Sequence, residues 1–242
     1  MLKLSHKAAR LLWAIKYQNW TVEDWKKVVW SDECIMKIGV DSQRQRVLRQ
    51  DGTALQDRNL APSFKSGRVS IMIWACFSGE RVGPCMILES GGIGSEEYEE
   101  ILYDGLLSMI DDLLQPPEDV DTIVVANNNA FLFMHDNAPC HKTRDITQLL
   151  EENNIPVMKW PAQSPDLNPI ENVWRDLKHR FHSRFLDLGT RPSTAAAAVA
   201  KYSAMIEELW MSVDRGLIQR LLESMPRRIA AVIAAKGGHT KY

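Results

Sequence analysis

Three acidic residues, Asp32, Asp136 and Glu171, lie in local sequences that present a carboxylate to a site instead of merely solvating it. Asp32 interrupts an apolar run, with Val28, Val29 and Trp30 before it and Cys34, Ile35 and Met36 after it. Asp136 ends a second run, Phe131-Leu132-Phe133-Met134-His135, just before the turn Asn137-Ala138-Pro139. Glu171 opens a helix after a loop punctuated by Pro161, Pro165 and Pro169. Hard divalent cations take oxygen ligands, and two such ions suit a phosphodiester, where water must be activated and charge on the oxygens stabilised. Structural roles compete: Asp136 as a turn residue, and Glu171 as a carboxylate at the positive end of its helix. For Asp32 the structural role is harder to sustain, because an acid in an apolar strand is costly to bury without partners.

The elements that must position these acids alternate between helix and strand. An amphipathic helix with Leu4, Leu11, Leu12 and Ile15 comes first, then a short helix with Thr21 as N-cap and Asp24 closing a capping box. Strands are predicted at 27–38, 44–50, 69–77 and 84–88; the third is a β-branched and aromatic run suited to a buried central position. A helix over 95–114 ends at Pro116-Pro117, the region to 129 is a loop, and the Asp136 strand follows. A helix at 143–153, a strand at 155–160 and a helix at 169–184 complete the core. The tail is helical from 193 to 235, with breaks expected at Gly216 and Pro226. This order predicts an α/β fold, a mixed β-sheet flanked by helices. Asp32 then sits in the first strand and Asp136 at the end of a later parallel one, with the Glu171 helix near both: a ribonuclease-H-like layout. The expected division is a helical lead-in over 1–22, a catalytic core over 23–185 and a helical C-terminal tail over 186–242.

Bulk properties narrow the class. The chain has 242 residues, 45% hydrophobic and 25% charged, with a formal net charge of −2. That is the profile of a globular protein without the strongly basic balance of a stand-alone nucleic-acid binder. Cys34, Cys76, Cys85 and Cys140 show no CxxC pairing, which favours free thiols in a reducing compartment. His179, His182 and the adjacent Cys140-His141 match no standard zinc spacing. No apolar stretch approaches the roughly 20 residues of a membrane span. A location that is not secretory is expected, nuclear, or cytoplasmic for a prokaryotic source.

Together the motifs resemble the catalytic domain of the Tc-one/mariner transposases, in the DDE superfamily. The resemblance runs through Asn19-Trp20-Thr21-Val22-Glu23-Asp24-Trp25, Trp30-Ser31-Asp32-Glu33 and the 69–78 strand. It continues in His135-Asp136-Asn137-Ala138-Pro139-Cys140-His141, in Gln163-Ser164-Pro165-Asp166-Leu167-Asn168-Pro169-Ile170-Glu171-Asn172-Val173-Trp174, and in the closing 237–242 segment. Between Asp136 and Glu171 lie 171 − 136 − 1 = 34 residues, the spacing of the branch whose third acid is glutamate. The resemblance implies a metal-dependent DNA transposase: phosphodiester hydrolysis and strand transfer in cut-and-paste transposition. Asp32, Asp136 and Glu171 would be both catalytic and metal-binding, holding two Mg²⁺ or Mn²⁺ ions. The implied partners are transposon-end and target DNA and a second copy of the chain.

Around the acids, Glu33 and His135 either orient the acids or their waters or serve only the structure, and Asn137 and His141 are either structural or contacts to metal-bound water or DNA phosphate. Asp166 and Asn168 are read as turn and cap, and Trp30, Trp74, Trp160 and Trp174 as core. Arg175, Lys178, His179, Arg180 and Arg184 either meet phosphate or form a solvated helix face. Arg227-Arg228 is expected at the surface. The family's helix-turn-helix modules have no room before Asp32, so either a fragment or truncated gene product, or a relic that cannot find its own ends, is expected. The alternatives are a catalytically silent, transposon-derived module that binds DNA or protein, and a ribonuclease-H-like nuclease of another specificity.

Overall fold

The computed structural model describes residues 2–38, 69–79, 81–88, 92–114, 131–186 and 194–242. Helices α1 (Leu4–Tyr17) and α2 (Val22–Lys26) lead into strand β1 (Val28–Ile38). The expected capping box is present on α2: the Asp24 amide donates to Thr21 Oγ1, and the Thr21 amide donates to the Asp24 carboxylate. With strands β2 (Val69–Ser78), β3 (Arg81–Leu88) and β4 (Leu132–Met134), β1 forms, among the described residues, a four-stranded sheet of order β3-β2-β1-β4. β1 runs antiparallel to β2, β2 antiparallel to β3, and β1 parallel to β4, so the sheet is mixed.

Alternation along the strands divides the core between the two faces. Trp30, Cys34, Met36 and Ile38 of β1 join Ile71, Ile73, Ala75 and Phe77 of β2 on one face. That face is covered by α1, α6 (Ile170–Leu186), α7 (Ala195–Met211), α8 (Arg215–Glu223) and α9 (Met225–Ala234). Val29, Trp74, Cys76 and Phe133 point to the other face, beneath α3 (Ser95–Ile101), α4 (Ser108–Leu114) and α5 (Arg144–Glu152). Burying each large apolar side chain here stabilises by roughly 1.5–3 kcal/mol. The expected mixed sheet with helices on both faces is what the chain forms.

Several elements differ in detail. The 95–114 helix is continuous, but a π-helical stretch, Leu102–Leu107, joins α3 to α4. Within it Gly105 lies so close to the sheet that a Cβ would meet the Trp74 ring at 2.7 Å. The strand expected at 155–160 reduces to one parallel bridge, Phe133 to Val157. Pro156 has no N–H to donate, and Asn154 turns left-handed at φ 54°, which limits the ladder at the N-terminal side of that segment. Gly216 does not break the tail, because the Asp214 side chain caps it into α8; the break falls just before, and Pro226 sits in the first turn of α9, where a missing N–H costs nothing. Arg228, expected at the surface, is 2% exposed. The strand predicted at 44–50 and the loop at 116–129 lie outside the described residues.

Candidate active site

The β1–β4 register decides how the two aspartates meet. Trp30 pairs with Met134, and Asp32 lies two residues beyond Trp30 just as Asp136 lies two beyond Met134. Asp32, within β1, and Asp136, just past the end of β4, therefore stand at one level on neighbouring parallel segments. The ladder closes there with Ser31, whose hydroxyl donates to the Met134 carbonyl at 2.9 Å. α6 packs on β1, with Glu171 in its first turn, and Trp174, one turn on, donates its indole N–H to Asp32 Oδ2 at 3.3 Å.

The electrostatics of the three acids differ. Burial, followed by the negative charges of Glu33 and Glu171 and, more weakly, Asp136, raises Asp32 to about 8. Burial also raises Glu171, with Lys178 opposing. Asp136 is held below the ordinary carboxylate range, chiefly by its hydrogen bond with His141 and also by the Ala138 amide at 2.8 Å. The buried His141 ring lies between two acids, with Nδ1 3.0 Å from Asp136 and Nε2 3.5 Å from Glu33. Burial works against its charge, but the hydrogen bonds to Asp136 and Glu33 prevail and raise it to about 10. The ring also stacks on Tyr98 at 3.9 Å. The Tyr98 hydroxyl shares a hydrogen bond with His135 Nδ1 at 3.0 Å, and burial, with the nearby His141 charge, pushes His135 down to about 3, so it is neutral.

The donor set fits hard divalent cations, since Asp32 and Glu171 are raised by burial and Asp32 also by neighbouring negative charge. As they stand, no three acidic, histidine or cysteine side chains among the described residues converge into a metal cage. Asp136 is turned toward His141 and Ala138 instead. Beside Glu171 is a cavity of about 380 Å³, walled also by Asn172, Arg175, Gln163, His239 and Tyr242 among others.

Residues 27–190 match the sequence profile of the DDE superfamily endonucleases. The chain belongs to that family. It is 31% identical over 242 residues to the Tcb1 transposable-element transposase of Caenorhabditis briggsae, covering 100% of this chain and 80% of that protein. The solved catalytic domain of the Mos1 transposase, bound to raltegravir with Mg, superposes with a TM-score of 0.67 at 16% identity, covering 100% of both chains. Mos1 is a mariner transposase of Drosophila mauritiana. Its paired-end complex with the left transposon end gives a TM-score of 0.72 at 17% identity, covering 99% of this chain and 64% of that one. The ribonuclease-H-like fold is thereby established, and the resemblance to Tc-one/mariner transposases is borne out by homology over the whole chain.

Within this DDE endonuclease the neighbours of the acids take roles the sequence did not reveal. Asn137 donates to the Trp160 carbonyl at 2.8 Å and ties the turn to the following segment. Asn168 caps α6 as expected, accepting from the Ile170 amide at 3.3 Å. Asp166 is no simple turn residue; it forms a two-pronged ion pair with Arg10. Arg180 and Arg184 pair with Asp176 and Glu208 at 2.8 Å each, leaving Arg175 and Lys178 beside Glu171. Tyr98, Arg10 and Arg228 gave no sequence signal. Trp174 did, because three residues after Glu171 it must share that helix face.

Proposed function

We propose that Asp32, Asp136 and Glu171 hold two Mg²⁺ or Mn²⁺ ions, and that the chain cleaves DNA phosphodiesters and joins strands in cut-and-paste transposition. The observation that carries this reading is the common level of Asp32 and Asp136 on adjacent parallel strands, with Glu171 close enough to raise Asp32. When bound, the ions activate water or a DNA 3′-hydroxyl and stabilise charge on the non-bridging and leaving oxygens. Asp32 is the rigid ligand, fixed by the ladder and by the Trp174 N–H. His141 orients Asp136, and Lys178 and Arg175 offer positive charge where a DNA backbone approaches Glu171. The homologous Mos1 structures, solved with transposon ends and with Mg, support DNA and divalent metal as ligands. On the same footing we take 23–185 as the catalytic core, a homodimer as the acting form and the nucleus as its place.

The test is a Mn²⁺ titration read by electron paramagnetic resonance, beside metal-dependent nicking of a transposon-end duplex, with Asp136→Asn and Glu171→Gln as controls. Saturable binding and nicking that both variants lose are the expected results. Equal Mn²⁺ binding by all three proteins would overturn the triad. A silent DNA- or protein-binding module has one observation in its favour, the absence of a preformed metal cage among the described residues. DNA binding with neither metal affinity nor nicking would decide for it.

A further inference from the structure

The strands that bear Asp32 and Asp136 are fixed by backbone ladders, but the segment that delivers Glu171 has no such support. Between Pro161 and Pro169 the backbone makes only a 3₁₀ turn, with Leu167 bonded to Ser164 and Asn168 to Pro165 at 3.1 and 3.0 Å. Gln163 adopts a left-handed φ of 57°, which L side chains rarely tolerate without external restraint. What restrains the segment is a buried ionic cluster assembled from distant parts of the chain.

Arg10 of α1 is 0% exposed, and all five of its N–H groups are committed. Nη1 and Nη2 meet the two oxygens of Asp166 at 2.7 Å each, and Nη1 also reaches the Gln163 carbonyl at 3.3 Å. Nε and Nη2 donate to the Gly237 and Gly238 carbonyls at 2.9 and 3.0 Å. Thr240 adds a hydrogen bond to Asp166 at 2.8 Å. Arg228 of α9 then brackets Glu171: it donates to the Asp166 carbonyl at 2.8 Å on one side and to the Asn172 side chain at 2.6 Å on the other. The tail can lie this close because position 237 is glycine. Its φ is +79°, and any Cβ would strike the Lys7 backbone.

We infer that Arg10, Asp166 and Arg228 are positioning residues for Glu171, clamping the 161–169 loop so that the first turn of α6 faces Asp32. A buried ion pair is weak support for stability, since an apolar replacement of equal volume often serves as well. Its fork geometry is what an apolar pair cannot supply. Helix α1, helix α9 and the closing tail, 156, 62 and 74 positions from Asp166 in sequence, are thereby tied to one loop. Displacement of α1 or of the tail is transmitted to the third acid.

The part of this inference that concerns metal rests on the function proposed above, so the test has two arms. Hydrogen exchange of the 167–173 amides in Arg10→Lys, which keeps the charge and loses the fork, reads the clamp without metal. Exchange there should quicken at least about tenfold while β1 amides are unchanged. The second arm measures the Mn²⁺ concentration giving half-maximal nicking, which should rise about tenfold or more, as for other changes behind a metal ligand. Gly105→Ala, on the opposite face of the sheet, is the control for general destabilisation, and its metal requirement should not move. Should Arg10→Lys fail to fold, Thr240→Val removes a single bond to Asp166 and should shift both readouts in the same direction by a smaller factor. Unchanged exchange at 167–173, or equal changes in metal requirement in Arg10→Lys and Gly105→Ala, would overturn the inference. A wild-type chain that neither binds Mn²⁺ nor nicks would sink the functional reading and leave the exchange arm to judge the clamp.

Discussion

Asp32→Asn should make the metal-free protein more stable while abolishing its reaction. The carboxyl is raised from 3.8 to about 8, first by burial and then by the charges of Glu33 and Glu171. Below pH 3.8 both the folded and the unfolded chain hold the proton, so burial of the neutral acid carries no penalty from ionisation. As pH rises from 3.8 to 8 the unfolded chain releases the proton while the folded chain keeps it, and stability falls. Above 8 the loss is complete. At about 1.4 kcal/mol per pH unit this separation sets a ceiling of about 5–6 kcal/mol; water entry and side-chain rearrangement reduce it to about half. Asparagine is isosteric, does not titrate, and still offers an oxygen to the Trp174 N–H. Urea unfolding with a chelator at pH 8.5 should therefore show the variant about 2–3 kcal/mol more stable, and at pH 5 the advantage should shrink to about a third of that. Mn²⁺ at about 100 times its dissociation constant should then stabilise the wild type by about 2.7 kcal/mol and the variant by far less. An advantage independent of pH, or a variant less stable than wild type at pH 8.5, would refute the reasoning.

Three further outcomes follow from the same geometry. His141 is raised from 6.5 to about 10 in the folded chain, so its contribution is present below pH 6.5 and lost as pH climbs through 10; the wild type's advantage over His141→Gln in urea should therefore shrink between pH 7 and pH 10. Gly105→Ala sets a Cβ 2.7 Å from the Trp74 ring and should cost about 1–3 kcal/mol by urea unfolding, with Mn²⁺ affinity unchanged. Trp174→Phe keeps the contact with Trp210 but removes the donor to Asp32; Mn²⁺ binding at pH 7 should weaken roughly three- to tenfold, as for a lost hydrogen bond of ordinary strength.

What could be read in advance followed from local pattern. The apolar runs at 27–38 and 69–77 announced strands, the second a buried central one, and Thr21 with Asp24 announced the α2 cap. The order of elements led to the mixed sheet, and the motifs around the three acids led to the family. The misreadings arose where a distant partner overrode a local tendency. Arg228, next to Arg227 and after Pro226, looks like surface charge until Asp166, Asn172 and Ser224 supply buried acceptors. Asp166 in a Ser-Pro-Asp-Leu-Asn-Pro loop looks like a turn residue because its partner, Arg10, is 156 positions away. Tyr98 reaches His135 and His141 from across a helix that periodicity describes only as amphipathic. Pro156 was visible, yet its effect on the 155–160 segment depends on which strand would have paired with it.

The three acids thus depend on different kinds of restraint, and this predicts how each fails. Asp32 is set by backbone pairing within β1, and Asp136, just past β4, by that strand together with the Ala138 amide and His141. Glu171 stands on a proline loop whose placement is delegated to two buried guanidiniums and a glycine-rich tail. Changes at residues 10, 228, 237 or 240, far from the acids in sequence, should therefore impair the site by geometry while leaving the β1 ladder and the contacts of Asp136 in place. The third carboxylate is the one whose position depends on the rest of the molecule being folded around it.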